Sequence, residues 1–314
     1  MSTIVLTGGG TGGHIMPNIA LLPELSKLFD NIYYAGVKGG REENIAKSHN
    51  LPFLPIKAVK LDRLNILSDL TIPFKLPACI REAKKTLKSV KPDVVLCKGG
   101  FVSLPCAYAA KSLRIPVITH ESDLSLGVAN KLISRFSAAT ITSYESTDGG
   151  KRGIYIGNPL RDNELYSAPS PLGITLDRSK LTLLIVGGSC GAQALNRAIW
   201  NNLDLLCAHY NIIHITGADD NPIHSGYFPI KYTDRIFDYY KAADAVISRC
   251  GAGAACELMA LRKKVLFVPL CNKASRGDQV DNAEYYSKKG YALVCSEEQL
   301  DKDPLYWTRS LVSM

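Results

Sequence analysis

The sequence lacks any long hydrophobic run: no window approaches the roughly 18 uninterrupted apolar residues that a membrane-spanning helix needs. The first residues also lack the basic start and apolar core of a signal peptide. Low-complexity tracts are missing, and apolar and charged residues make up 46% and 21% of the chain, close to globular averages. These features argue against membrane-spanning, secreted and disordered proteins and predict a soluble or peripheral globular protein.

Cysteine pairs at metal-binding spacing are missing as well. The nine cysteines are odd in number, widely scattered, and form no Cys-x-x-Cys pair. A disulfide framework or a zinc site needs tighter grouping. We therefore expect the cysteines to pack in the core of a protein from a reducing cytosol.

What is present is a strand–helix alternation that starts twice. The first series opens with Ile4-Val5-Leu6, a glycine loop and a helix that begins near Pro17, and the second opens with Leu181–Val186 and Gly187–Ala192. Apolar strands separated by helices are typical of parallel sheets covered on both faces, and the length favours two domains. The sequence predicts an α/β fold with two doubly wound Rossmann-like domains facing a cleft, joined near Gly157-Asn158-Pro159. The strand candidates are 4–6, 32–34, 93–96, 116–119, 139–142, 181–186, 212–215, 245–248 and 265–268.

Three glycine turns follow predicted strands, at Gly8–Gly13, Lys98–Ser103 and Gly187–Gly191. Such turns direct backbone N–H groups and the positive end of a helix toward one spot, which suits phosphate or developing negative charge. A simple tight turn is the alternative for any single loop. A dinucleotide site would need an acidic residue about 20 residues past the first loop, where Tyr33–Gly36 stands instead. Because no Gly-Lys-Ser/Thr follows any loop, a P-loop is disfavoured too.

A series of motifs now resembles a known family. They are Gly9–His14 with Pro17, Lys98–Ser103, His120–Asp123, Gly157–Arg161, Gly187–Ala192, Ser248–Ala252 with Glu257, and Ala274–Gln279 with Asn282-Ala283. In this order they resemble the MurG family of N-acetylglucosaminyltransferases, which make the final lipid-linked peptidoglycan precursor. The resemblance implies a GT-B fold, with an acceptor-binding and membrane-associating domain at 1–158 and a UDP-sugar donor-binding domain at 159–314.

The activity implied by this resemblance is inverting, metal-independent transfer of N-acetylglucosamine from UDP-N-acetylglucosamine to lipid I, a polyprenyl-diphosphate-linked muramyl peptide. The product would be lipid II for peptidoglycan synthesis, made by a peripheral enzyme on the cytoplasmic face of the cell membrane. UDP-N-acetylglucosamine would be a co-substrate, and no cofactor is expected. No metal ion is expected either, because the Asp-x-Asp pattern at Asp301-Lys302-Asp303, which could suggest a metal site, lies in a polar stretch and is expected to be solvated surface. Two alternatives stay open: a related enzyme with another lipid or glycan acceptor, and a catalytically weak nucleotide-sugar-binding homologue. The second gains support because the family usually continues well past Asp303-Pro304.

The resemblance also implies site residues. Glu257 would hydrogen-bond the ribose hydroxyls, Gln279 would contact the sugar hydroxyls, and Ser189 with its neighbouring amides would contact the diphosphate. Arg161 and the backbone near Thr233 would help hold the nucleotide. The other implied substrate-binding residues are Thr11, Gly12, Gly13, Asp123, Gly188, Ala252 and Asn282. For Glu257 a helix-start charge is the alternative, and for Gln279 helix-start capping with Asp278.

His14 is the first candidate for the base that accepts the proton of the acceptor hydroxyl, because imidazole is suited to proton transfer at neutral pH. Glu121, at the end of strand candidate 116–119, is the rival, and His120 beside it is expected to brace the turn. A loop histidine that only orients backbone or phosphate is the alternative for His14. Two departures from the family pattern reduce polar contacts: Ser122-Asp123 replaces Gln-Asn, and Gly253–Ala255 lacks hydroxyl and amide side chains.

A basic segment at 57–91 holds nine Lys or Arg and three Asp or Glu, which is +6 of the net charge of +8. Its apolar residues are Leu61, Leu64, Leu67, Leu70, Ile72, Phe74 and Leu76. An apolar stripe with a basic rim suits an anionic inner-membrane surface, whereas a core-facing helix with a solvated basic back is the alternative. No nucleic-acid-binding motif accompanies the segment, so nucleic acid is not expected as a partner.

Overall fold

The computed structural model describes residues 1–59, 72–188, 192–271 and 277–314. The chain divides into two compact units, unit 1 at Met1–Arg161 and unit 2 at Asp162–Met314. The boundary predicted between residues 158 and 159 lies in the same Gly157–Arg161 segment.

Unit 1 is built on a seven-stranded parallel sheet with the order β3-β2-β1-β4-β5-β6-β7. The strands are β1 (Thr3–Thr7), β2 (Asn31–Val37), β3 (Phe53–Ile56), β4 (Val94–Cys97), β5 (Val117–Glu121), β6 (Ala139–Thr142) and β7 (Gly153–Tyr155). The helices are α1 (Met16–Ala20), α2 (Leu22–Leu28), α3 (Arg41–Ser48), α4 (Ile72–Val90), α5 (Gly100–Ser112) and α6 (Val128–Ile133), with a 3₁₀ turn at Gly12–His14.

The core of unit 1 lies on both faces of its sheet. Alternate residues of a strand point to opposite faces. Val5 therefore packs with Leu87 of α4 and Cys106 of α5, whereas Leu6 packs with Ile15 and Tyr34 on the other face. Each fully buried aliphatic side chain of this kind stabilises the fold by about 1.5–3 kcal/mol. All of β1 is buried as a result, so the loop that follows it starts from a well-packed strand.

Helix α4 has a buried face and a basic exposed face. The buried side chains are Cys79, Ala83 and Leu87, one turn apart, and the exposed ones include Arg81, Lys85 and Lys88. In its described part, α4 is thus a core-facing helix with a basic back, but its buried residues are not those of the predicted apolar stripe. Phe74, near the start of the helix, is nevertheless 83% exposed beside Lys75. Leu61, Leu64, Leu67 and Leu70 lie outside the described residues.

Unit 2 is built on a six-stranded parallel sheet with the order β10-β9-β8-β11-β12-β13. The strands are β8 (Leu181–Val186), β9 (Tyr210–Ile215), β10 (Tyr227–Ile230), β11 (Ala245–Ser248), β12 (Lys264–Phe267) and β13 (Leu293–Val294). The helices are α7 (Asp162–Tyr166), α8 (Gln193–Trp200), α9 (Leu203–His209), α10 (Ile236–Ala242), α11 (Ala252–Ala260), α12 (Asp278–Lys288), α13 (Glu297–Lys302) and α14 (Pro304–Ser313). The two parallel sheets with their covering helices confirm the predicted pair of doubly wound α/β domains.

Candidate functional site

The strand order of unit 1 reverses beside β1, with β2 and β3 on one side and β4 to β7 on the other. Ligands of open α/β sheets bind outside the carboxyl ends of the strands at such a switch point. Gly8–Gly10 follows β1, and Lys98–Gly100 follows β4. Two of the three predicted glycine turns therefore meet at the switch point of unit 1.

These two turns pack directly on each other because their glycines have no side chains, so the two backbones can approach closely. A methyl group on Gly8 would collide with the backbone carbonyl of His14. A methyl group on Gly100 would lie 2.5 Å from the Gly9 carbonyl oxygen and 3.2 Å from His14 Nδ1. Gly100 also has a φ of +74°, in the left-handed region that favours glycine. Close backbone packing thus holds His14 against the turn after β4.

The His14 ring is half-buried at the end of the 3₁₀ turn, and its Nδ1 lies 3.0 Å from Thr11 Oγ1. Base function requires the tautomer in which Nδ1–H donates to Thr11 and Nε2 carries the lone pair. Thr11 and Gly13 are exposed and Gly12 is half-buried, so the loop lies at the surface of unit 1. The structure thus brings the predicted loop residues together around one imidazole.

Behind this loop lies a buried polar cluster formed by Lys98, His120 and Ser122. The Lys98 ammonium bonds to His120 Nδ1 and, at 2.5 Å, to Ser122 Oγ. His120 Nε2 lies 3.0 Å from the Gly157 carbonyl oxygen. Burial, with the charge of Lys98 as a second cause, lowers the pKa of His120 to about 3, so this imidazole is neutral at physiological pH. His120 therefore braces the turn, the role expected for it.

The Glu121 carboxylate is buried and accepts four hydrogen bonds. Oε1 accepts from the backbone N–H groups of Ser122 and Asp123, at 2.9 and 3.1 Å. Oε2 accepts from the Gly127 N–H and from Asn130 Nδ2, at 2.8 and 2.9 Å. A carboxylate engaged in this way holds the loop between β5 and α6, and this geometry favours His14 over Glu121 as the base. Asp123 lies half-buried in that loop.

The sequence interpretation missed one buried acid at this edge, Glu42 in the first turn of α3. Its Oε1 accepts from the Val37 N–H at 3.0 Å, and its carboxylate would lie 2.9 Å from a methyl group on Gly9. Glu42 thus lies five residues after β2 and is turned inward beneath the glycine loop. The only sequence signal was a short acidic run at a helix start.

Unit 2 has its switch point between β8 and β11. Gly188, just after β8, is exposed with a φ of +85°, and Ser189 lies outside the described residues. Helix α11 starts at Ala252 after β11, and its N-cap residue Gly251 supplies no side-chain cap. Among the described residues, a methyl group on Gly251 would meet no atom within 4 Å. Helix α11 therefore starts, without a side-chain cap on its N-cap residue, at the carboxyl edge of the sheet.

Three polar side chains surround that edge. Glu257 is half-buried in the second turn of α11, not in its first, which argues against the alternative of a helix-start charge. Gln279 Oε1 accepts from the Leu270 N–H at 3.0 Å, so this side chain holds the segment after β12 and does not cap its helix. Asn282 is buried, and its Nδ2 donates to the Cys250 carbonyl oxygen at 3.3 Å.

Thr233 follows β10, farther along the same edge of unit 2. Its Oγ1 accepts from the Arg235 N–H at 3.0 Å and so closes a turn. The Thr233 side-chain oxygen is therefore engaged within its own turn. Arg161, the last residue of unit 1, is half-buried directly before α7.

The acidic pair Asp301 and Asp303 has a structural use. Asp301 accepts from the side chains of Asn201 and Asn202, and Asp303 Oδ1 accepts from the Tyr306 N–H at 3.1 Å to cap α14. Within the described ranges, His, Cys, Asp and Glu form no group of three that could hold a metal ion. None of the helices in the described part of the chain is long and apolar enough to cross a membrane.

Comparisons with known proteins agree with this architecture. Residues 4–142 match the family model for the glycosyltransferase family 28 N-terminal domain, and residues 182–307 match the model for its C-terminal domain. A protein of Clostridium botulinum (strain Alaska E43 / Type E3) is 42% identical over 96% of this chain and 87% of its own length. It is named UDP-N-acetylglucosamine--N-acetylmuramyl-(pentapeptide) pyrophosphoryl-undecaprenol N-acetylglucosamine transferase.

Solved structures show the same similarity. The crystal structure of Acinetobacter baumannii MurG has a TM-score of 0.75 and 26% identity, and covers 100% of this chain and 92% of that one. A glycosyltransferase of kitacinnamycin has a TM-score of 0.74 at 14% identity, covering 100% of this chain and 91% of its own, and supports the fold alone.

Proposed function

The chain belongs to glycosyltransferase family 28 and, within it, to the MurG family, and from this premise we propose that it transfers N-acetylglucosamine from UDP-N-acetylglucosamine to lipid I. The product is lipid II for peptidoglycan synthesis. The observation that carries the proposal is the placement of the described motif residues: in each unit they cluster at the carboxyl edge of a doubly wound sheet, with Gly8–His14, Lys98–Gly100, Gly188 and Ala252 beside its switch point. The relatives' names supply the identity of donor and acceptor.

The reaction is a displacement at the anomeric carbon through an oxocarbenium-like state. The acceptor oxygen bonds to this carbon while the bond to UDP breaks, so the configuration inverts. His14 Nε2 accepts the proton of the acceptor hydroxyl, and Thr11 holds the required tautomer through Nδ1. The electron pair of the broken bond leaves with UDP, whose added charge is stabilised by backbone amides near Gly188 and at the start of α11.

Donor recognition belongs mainly to unit 2, and Arg161 at the end of unit 1 helps hold the nucleotide. Glu257 accepts hydrogen bonds from the two ribose hydroxyls, and Gln279 and Asn282 hold the ends of β12 and β11 in place for the sugar and nucleotide. No metal ion is needed in this scheme, because helix and loop amides supply the positive potential.

UDP release from UDP-N-acetylglucosamine and lipid I, followed with and without EDTA, tests the proposed function. We expect turnover that requires lipid I and is unchanged by EDTA, with β-linked product. Turnover only with a different lipid or glycan acceptor would indicate a related transferase, and donor binding without any turnover would indicate a non-catalytic homologue. Loss of turnover in EDTA, restored by a divalent cation, would contradict metal independence.

We further propose that unit 1 binds the cytoplasmic face of the cell membrane, where the polyprenyl chain of the acceptor is anchored. Helix α4 supports this proposal, because Phe74 projects from it at 83% exposure and Lys85 and Lys88 are exposed farther along. Each basic side chain near an anionic membrane surface contributes about 1 kcal/mol to the free energy of membrane binding.

Replacing Lys84, Lys85 and Lys88 by Gln tests this surface by flotation with anionic vesicles. We expect binding to fall by about 100-fold, as the loss of three such contributions predicts, and to fall further with Phe74→Ser. A matched variant with the exposed Lys38, Lys131 and Lys151 changed to Gln removes the same charge elsewhere on unit 1 and should bind nearly as the wild type. Equal binding by the two triple variants would contradict a role for α4.

A further inference from the structure

Lys98 is a buried cation that the transfer scheme above does not use. Only 2% of the residue is exposed, although it lies directly before Gly99 and Gly100, and Gly100 packs against His14. Its ammonium bonds to His120 Nδ1 and to Ser122 Oγ. Both of these partners lie at the end of β5, so Lys98 joins the carboxyl ends of two neighbouring strands.

The ammonium fixes the direction of every hydrogen bond that follows. A lysine ammonium can only donate, so His120 Nδ1 accepts and the ring proton is on Nε2. That Nε2–H then donates to the Gly157 carbonyl oxygen at 3.0 Å. Ser122 Oγ accepts from Lys98 and gives its own proton to Asn158 Oδ1 at 2.6 Å. Lys98 thus orients the side chains of His120 and Ser122, which hydrogen-bond to the consecutive residues Gly157 and Asn158.

The residues held in this way form the turn that leads out of unit 1. Gly157 has a φ of +108°, which favours glycine, and its N–H reaches the Thr142 carbonyl oxygen at 3.2 Å. Arg161 follows three peptide bonds after Asn158, and unit 1 ends there. A rotation of the Gly157-Asn158 turn would therefore carry Arg161 with it.

We propose that Lys98 is a positioning residue for the donor: through His120 and Ser122 it holds the Gly157-Asn158 turn so that Arg161 can reach the nucleotide. This inference rests on the proposed function, because it takes Arg161 to be a donor contact. Lys98 is also the first residue of the glycine turn that packs against His14. One buried side chain therefore supports both the loop at Gly8–His14 and the segment that leads to Arg161. The short Ser122 side chain fits this arrangement, since its one oxygen both accepts and donates.

A double-mutant cycle on donor affinity tests the proposal, with UDP-N-acetylglucosamine as the titrated ligand in calorimetry. We expect Lys98→Met to raise the Kd about tenfold, the weakening that one misplaced charged hydrogen-bonding group causes. Arg161→Ala should weaken binding similarly, and the double variant should lose little more. Lys131→Met, an exposed lysine on α6, is the matched control and should bind as the wild type.

An unchanged Kd in Lys98→Met, or losses that add fully in the double variant, would overturn the positioning role. Wild-type protein that binds no UDP-N-acetylglucosamine would instead contradict the proposed function. Ser122→Ala is a smaller change that keeps the lysine, and it should give a partial increase in Kd if Lys98→Met fails to fold.

Ring-nitrogen NMR of the histidines, assigned by comparison with His120→Gln, reads the cluster without any ligand. We expect His120 to be the neutral Nε2–H tautomer in the wild type at neutral pH and a mixture of tautomers in Lys98→Met. A loss of general stability would leave the tautomer of the folded protein unchanged. An Nδ1–H tautomer in the wild type would contradict donation by Lys98 and end the proposal.

Discussion

Changing His14 to Ala is expected to lower turnover with lipid I by about 10²–10⁴-fold, the usual contribution of a positioned general base. The loss follows from geometry, because the ring lies at the loop after β1 with Nδ1 engaged by Thr11. Affinity for UDP-N-acetylglucosamine should change by less than about twofold, since the implied donor contacts lie elsewhere. Single-turnover UDP release and donor calorimetry measure the two effects separately.

The pH profile separates a base from a residue that only orients the loop. A base must be neutral to accept a proton, so the wild-type kcat/KM should fall toward acid and the residual activity of His14→Ala should lack that limb. Thr11→Val should cost less, because it removes the partner of Nδ1 and keeps the imidazole. His49→Ala, at an exposed histidine after α3, is the control. Near-normal turnover in His14→Ala would eliminate the base role.

The strands that sequence reasoning predicted are the central ones. All nine strand candidates correspond to strands in the structure, because central parallel strands are buried on both faces and show continuous apolar runs. The four strands that were not predicted, β3, β7, β10 and β13, are the edges of the two sheets. Pro55 and Pro229 lie within two of them and Gly153 begins a third. Edge strands tolerate these residues because one side of the backbone needs no partner, and the sequence signal is lost.

The residues of the candidate site were likewise only partly predictable from the sequence. The glycine turns at Gly8 and Lys98 were predictable because strand–glycine–helix is a local pattern. The burial of Lys98, Glu121 and Glu42 was not, because a charged residue at the end of a strand or the start of a helix looks the same in sequence whether it is solvated or enclosed. Lys98, for example, finds its partners His120 and Ser122 at separations of 22 and 24 residues along the chain. Burial of charge depends on such distant partners, which no short motif records.

Glu121→Gln is the second change with a large expected effect, and it acts on stability first. Every oxygen of the carboxylate accepts two N–H groups, so an amide nitrogen at either position would face two donors. Leaving buried donors unpaired costs about 1–3 kcal/mol for each group, which predicts a destabilisation of about 2–5 kcal/mol. At roughly 2–4 °C for each kcal/mol, the melting temperature should fall by about 4–20 °C. Glu145→Gln, at an exposed glutamate of unit 1, is the matched control.

The kinetics of Glu121→Gln decide between the two candidate bases. Well below its melting temperature the variant should lose activity because the loop before α6 is loosened, yet kcat/KM should still fall toward acid, since His14 remains. If Glu121 were the base, the variant would instead keep a normal melting temperature and lose the acidic limb. The buried carboxylate with four N–H donors makes the first result the expected one, because an acceptor already saturated by the fold has no lone pair directed at a substrate hydroxyl. The two expected results together would assign proton transfer to His14 and the support of the loop before α6 to Glu121.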